Sequence, residues 1–138
     1  MNRSRSAVAA ILMAHLAGPA VAAEPDEVVP SAAEDYTLHC SACHTGDGSG
    51  TPGLVPSLRE LAPLLDHPQG REYLIRVPGV AQAPLSDARI ARLLNWVLLE
   101  YSGLRVEPPF ESAEVAGLRA NPLRDPLAFR SRLPTGNE

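Results

Sequence analysis

Cys40-Ser41-Ala42-Cys43-His44 holds the only two cysteines in the chain, two residues apart, with a histidine directly after them. These residue types at this spacing match the attachment pattern of a c-type haem. Two thiols three positions apart on a helical turn can each form a thioether to one vinyl group of a porphyrin. The next residue then turns its imidazole toward the iron, and imidazole is a good axial ligand for haem iron. On this reading Cys40 and Cys43 are the covalent anchors of one haem c, and His44 is the proximal iron ligand.

Three other uses of the pair compete. A redox-active dithiol usually follows a strand in a βαβ context, whereas the lead-in from Ser31 to His39 reads as helix. A structural zinc site needs four ligands. Only His39, His44 and His67 remain in the exported chain to complete one, and adjacent Cys43 and His44 are poorly placed to share a tetrahedral ion. A disulfide would close a short, strained two-residue loop.

The chain opens with Arg3 and Arg5 and no acid, continues with a mostly apolar run from Ala7 to Ala17, and offers small residues at Val21-Ala22-Ala23. This is the pattern of a secretory signal peptide over residues 1–23, with cleavage before Glu24. The run is too short to span a bilayer as a retained helix, so no membrane insertion is expected after cleavage. Export to the periplasm agrees with thiols that receive haem outside the cytoplasm. The whole sequence has a formal charge of −4 and no lysine, and loss of Arg3 and Arg5 makes the mature chain more acidic. An acidic surface argues against nucleic acid or anionic membrane as partner and allows steering toward a protein with a basic patch. Aromatic residues are few and prolines many, so a buried haem would supply apolar volume to a thin core.

The elements that must position the motif are all helical. Residues 24–30 read as a flexible leader. Ser31 and Glu34 form a capping-box pair opening a helix to about Cys43, with Ala32, Tyr36 and Cys40 on one face. Thr45 to Gly53 holds four glycines and is a loop. Pro56 fixes a turn whose backbone carbonyl can accept the Nδ1–H of His44, and Ser57 caps a brief helix through Leu65. Arg71 to Val77 reads as one or two helical turns ended by Pro78-Gly79, and Val80 to Leu85 as a loop. Ser86 and Asp87 open the longest helix. Its apolar face is Ile90, Leu93, Leu94, Val97, Leu98 and Tyr101, and Gly103 ends it. Beyond it, Ser112–Ala120 (Val115 and Leu118 inward) and Asp125–Leu133 (Leu127 and Leu133 inward) read as short helices. They wrap over the main domain rather than forming a second one.

Over about residues 31–102 the pattern resembles the class I monohaem cytochromes c. Cys40, Cys43 and His44 fit the haem motif; Tyr36 fits the aromatic four residues before the first cysteine; Pro56 fits the proline that offers its carbonyl to the proximal histidine. Leu85-Ser86-Asp87 and Trp96 fit the opening and the aromatic of the last helix. The resemblance implies an all-α fold: a small cytochrome c-like domain over residues 31–103 wrapped around one haem, with a helical extension over residues 104–138 packing on it. It implies electron transfer in the periplasm rather than catalysis, with a periplasmic dehydrogenase or an oxidase complex as partner. One departure is pronounced. The family's distal ligand is usually a methionine, but the only methionines are Met1 and Met13, and the expected loop reads Pro78-Gly79-Val80-Ala81-Gln82-Ala83-Pro84. His67 and Gln82 are the candidate distal ligands. Otherwise the sixth position is open, and the alternative function is binding or sensing of small ligands. Arg71, Arg76 and Trp96 are candidates to hold the haem propionates.

Overall fold

The computed structural model describes residues 29–133. The signal peptide expected over 1–23, most of the expected leader and the chain after Leu133 lie outside the described residues. The protein is all-α. Eight helices are present among the described residues: α1 (Ala32–His39), α2 (Ser41–His44), α3 (Ala62–Leu65), α4 (Gly70–Arg76), α5 (Pro78–Ala81), α6 (Asp87–Ser102), α7 (Ser112–Arg119) and α8 (Pro126–Arg130). The only extended pairing among them is an isolated antiparallel bridge between Thr51 and Val55. None of these helices is long and apolar enough to cross a membrane.

α1 begins where the capping box puts it. The Ser31 hydroxyl accepts from Glu34 N–H, and the Glu34 carboxylate accepts from Ser31 N–H at 2.7 Å, which satisfies two otherwise unpaired donors. The helix does not run through the cysteines: Cys40 leaves helical geometry (φ −126°, ψ −36°) and a new turn, α2, starts at Ser41. The Cys40 carbonyl then accepts from both Cys43 N–H and His44 N–H. α6 is capped by Ser86, whose side chain accepts from Arg89 N–H, and ends on Gly103 in the left-handed conformation that glycine adopts at low cost.

α1 and α6 pack together through Tyr36, whose ring lies 4.9 Å from Tyr101 and 5.6 Å from Trp96. An ion pair reinforces this packing. Asp35 is fully buried and is held by the guanidinium groups of Arg89 and Arg92. Burial alone would raise the Asp35 pKa, but the two arginines outweigh it and hold the carboxyl below its usual range.

Three local expectations are corrected. Ser57 caps no helix; its hydroxyl accepts from Arg59 N–H in a turn, and helix resumes only at Ala62. α4 ends at Arg76 with Val77 as its C-cap, as expected before Pro78. The loop expected from Val80 begins later, because Pro78 starts α5 through Ala81 and the first helical position needs no N–H donor. Leu127, expected inward, is 76% exposed, and Phe129 of the same helix is buried instead.

Residues 104–133 share the core of the rest. Phe110, Val115, Leu123, Phe129 and Leu133 join one buried cluster with Leu64, Ile75, Ile90 and Leu98. Polar contacts fix the same packing. Asn95 donates to the Phe110 carbonyl and accepts from its N–H. Arg119 donates to the carbonyls of Ala81, Ala83 and Leu85 and pairs with Asp87, tying α7 to the connection between α5 and α6.

Candidate functional site

α6 positions a loop, and the loop positions a histidine. The Tyr101 hydroxyl donates to the Gly46 carbonyl at 3.1 Å, and the Ser102 hydroxyl donates to the Leu58 carbonyl at 2.5 Å. These contacts clamp residues 46–58 against the C-terminal half of α6. Gly48 passes beneath the Tyr101 ring, where a Cβ would sit 2.7 Å from ring carbons. Gly50 has φ +68°, and a Cβ there would sit 2.4 Å from the Val55 carbonyl oxygen and 2.7 Å from that of Pro56. Glycine is therefore required at both places, and the loop closes tightly enough to bring Pro56 to the end of α2.

His44 Nδ1 lies 3.1 Å from the Pro56 carbonyl oxygen. A carbonyl only accepts, so Nδ1 carries the hydrogen and the Nε2 lone pair of the neutral ring is free to ligate. Burial lowers the His44 pKa, and the Pro56 contact offsets only part of that, so the neutral form prevails. The residue after His44 is strained: Thr45 has φ +64° and ψ 165°, a region almost reserved for glycine. It is held there by its neighbours. Tyr36 donates its hydroxyl to the Thr45 carbonyl at 2.6 Å, and the Thr45 hydroxyl donates to Asp47 at 2.6 Å. Nothing in the residue types of this segment signals that strain.

Cys40, Cys43 and His44 line one cleft of about 370 Å³, inside the ~300–1,000 Å³ range of ligand sites. Its back wall is Ile90, Leu93, Leu94 and Val97 of α6. Leu54, Pro56 and Leu58 form one side, and Tyr73, Leu74, Val77, Pro78 and Val80 another. Pro126, Leu127 and Arg130 of α8 complete it. Leu54 and Leu127 are 79% and 76% exposed where they border the cleft, so two large apolar side chains face the space rather than the core.

Both thiols are free. Burial raises the Cys40 pKa, with Asp35 and Cys43 adding to it, so this thiol stays protonated at neutral pH. Among the described residues no three His, Cys, Asp or Glu side chains converge to hold a metal ion. The donors that meet on this largely apolar cleft are two free thiols and the imidazole of His44.

The other sequence candidates lie elsewhere. His67 is in a turn, its Nδ1 accepting from Gln69 N–H at 3.2 Å, and Gln82 is exposed at the end of α5; neither lines the cleft. His39 is exposed and does line it. Arg71 binds Glu114 and the Pro108 and Pro109 carbonyls, and Arg76 pairs with Glu72. Trp96 packs on Tyr36 and Tyr101. None of these three lines the cleft; the arginine that does, Arg130, has no motif or spacing that marks it in the sequence. No protein-family model matches the chain, and no curated protein matches it in sequence.

Proposed function

We propose that the chain is an exported c-type cytochrome that carries electrons in the periplasm. Cys40 and Cys43 hold one haem c covalently, and His44 ligates its iron. The observation that carries this reading is the meeting of two free thiols and an imidazole of defined tautomer on one apolar, ligand-sized cleft. Bound haem would supply a one-electron couple at iron. The chain's residues do the rest. Pro56 holds the Nδ1–H of His44 and so directs Nε2 into the cleft. The leucines of α6 exclude water from it. The Asp35–Arg89 pair and the Tyr36–Tyr101 contact hold α1 and α6 in fixed relation, which limits rearrangement as charge changes. The acidic chain suits a redox partner with a basic patch, such as a periplasmic dehydrogenase or an oxidase complex.

A second reading, binding of small ligands at an open iron position, is favoured by one observation. Apart from the CxxCH residues and His39, no described residue lining the cleft carries a sulfur, imidazole or amide side chain. Burial also pushes the Tyr73 phenol upward in pKa, so it stays a neutral hydroxyl. The experiment that tests the electron-carrier reading is a redox titration of the purified exported protein. Without methionine ligation, the midpoint potential should be reversible and lower than that of a His/Met cytochrome. A potential as high as a His/Met protein would contradict the assignment of ligands, and the absence of any reversible couple would remove electron transfer itself.

A further inference from the structure

Arg130 is the only arginine, aspartate or glutamate among the described residues lining the cleft. Its position is set by α8. Asp125 caps that helix by accepting from Ala128 N–H at 2.8 Å, and buried Phe129 stacks on Tyr73 of α4 at 5.9 Å and 24°. The Arg130 guanidinium lies 5.6 Å from the centre of the same Tyr73 ring. Arg59, Arg71, Arg76, Arg89, Arg92 and Arg119 each pair with a carboxylate. Arg105, Arg124, Arg130 and Arg132 have no such partner among the described residues, but the other three are exposed, whereas Arg130 is half-buried against an otherwise apolar wall of the cleft. A guanidinium in that setting calls for an anion, and its planar fork suits a carboxylate.

We propose that Arg130 binds a carboxylate of the group in the cleft, which makes the C-terminal extension part of the cofactor site. The proposal rests on the haem reading. Haem bears its two propionates on the part of the ring edge away from the vinyl groups, and Cys40 and Cys43 claim the vinyl groups. The propionates would then be left free of the cysteines, and Arg130 is the one arginine lining the cleft among the described residues. Arg130 acts as a positioning residue: it fixes the carboxylate edge of the ring and neutralises its charge without touching the iron.

The test is the redox-difference infrared spectrum of the exported protein carrying haem labelled with ¹³C at the propionates. Haem content of each sample is measured first. The propionate band should shift in Arg130→Gln and shift less in Arg130→Lys, which keeps the charge and loses the fork. Unshifted bands in haem-loaded Arg130→Gln would overturn the proposal and leave the haem reading standing. If Arg130→Gln does not fold, an unshifted band in Arg130→Lys overturns it equally. A spectrum that responds to added azide or chloride in the wild type but not in Arg130→Gln, with propionate bands unmoved, would assign Arg130 to an external anion and also overturn it. Absence of haem from the wild type would remove both readings.

Discussion

His44 donates its Nδ1–H to the carbonyl of Pro56, twelve residues on, across 3.1 Å. This bond fixes a histidine otherwise free to turn, and it depends on glycine. Gly50 sits at φ +68° with the Val55 and Pro56 carbonyls in the space a Cβ would need. Gly50→Ala should therefore cost at least the ~1–2 kcal/mol of a left-handed non-glycine residue, and it should weaken haem retention by moving Pro56. Gly46 has no atom within 4 Å of a Cβ, so Gly46→Ala serves as the control and should melt near the wild type. Thermal unfolding of the two variants checks this; equal melting temperatures would mean that the loop does not close as described.

Asp35 ties α1 to α6. Asp35→Asn removes the charge that faces Arg89 and Arg92 and leaves two cations beside a buried amide. Loss of one partner of a buried pair costs ~3–5 kcal/mol. Both guanidiniums reach solvent, so the expected loss is at the low end, about 3 kcal/mol. A urea midpoint indistinguishable from the wild type would show that the pair does not hold the helices together.

The same carboxylate predicts an acid response. Its folded pKa lies below the unfolded value because Arg89 and Arg92 more than offset burial. The folded state therefore binds fewer protons than the unfolded chain. Its contribution is complete above the unfolded value of about 3.9 and is lost as pH falls through the lower folded value. Stability measured from neutral pH downward should fall more steeply in the wild type below about pH 4 than in Asp35→Asn. Parallel curves would contradict the assignment.

The distal candidates lie away from the cleft. His67→Ala and Gln82→Ala should each leave the visible spectrum and its response to carbon monoxide as in the wild type. The ferrous protein itself should be high-spin and should bind carbon monoxide promptly. A low-spin spectrum unmoved by carbon monoxide, and altered by His67→Ala, would instead make His67 the sixth ligand.

The parts of the fold legible in the sequence are those specified within a few residues. Ser31 with Glu34, Ser86 with Asp87, and Gly103 carry their own capping chemistry, and the structure places helix ends beside them. The Tyr36 face and the apolar face of α6 were legible for the same reason, because helical period alone exposes them. Asp35 was not. A charged residue in an amphipathic helix ordinarily faces water, and the arginines that bury it stand 54 and 57 positions away. Arg130 is illegible for a similar reason, since long-range packing such as that of Phe129 on Tyr73 brings α8 to the cleft. Leu127 reads as core in the sequence because it is apolar, whereas it borders a cleft. Sequence pattern separates apolar from polar surroundings; it does not separate a protein core from a ligand's surface.

The central claim is that Cys40 and Cys43 bind haem covalently. Its most direct measurement is the pyridine haemochrome spectrum of the purified exported chain after extraction with acidified acetone. The account predicts one haem per chain, of the two-thioether type, retained by the polypeptide after extraction and absent from Cys40→Ser/Cys43→Ser. A wild-type chain without haem, or one whose haem leaves with the solvent, would contradict it.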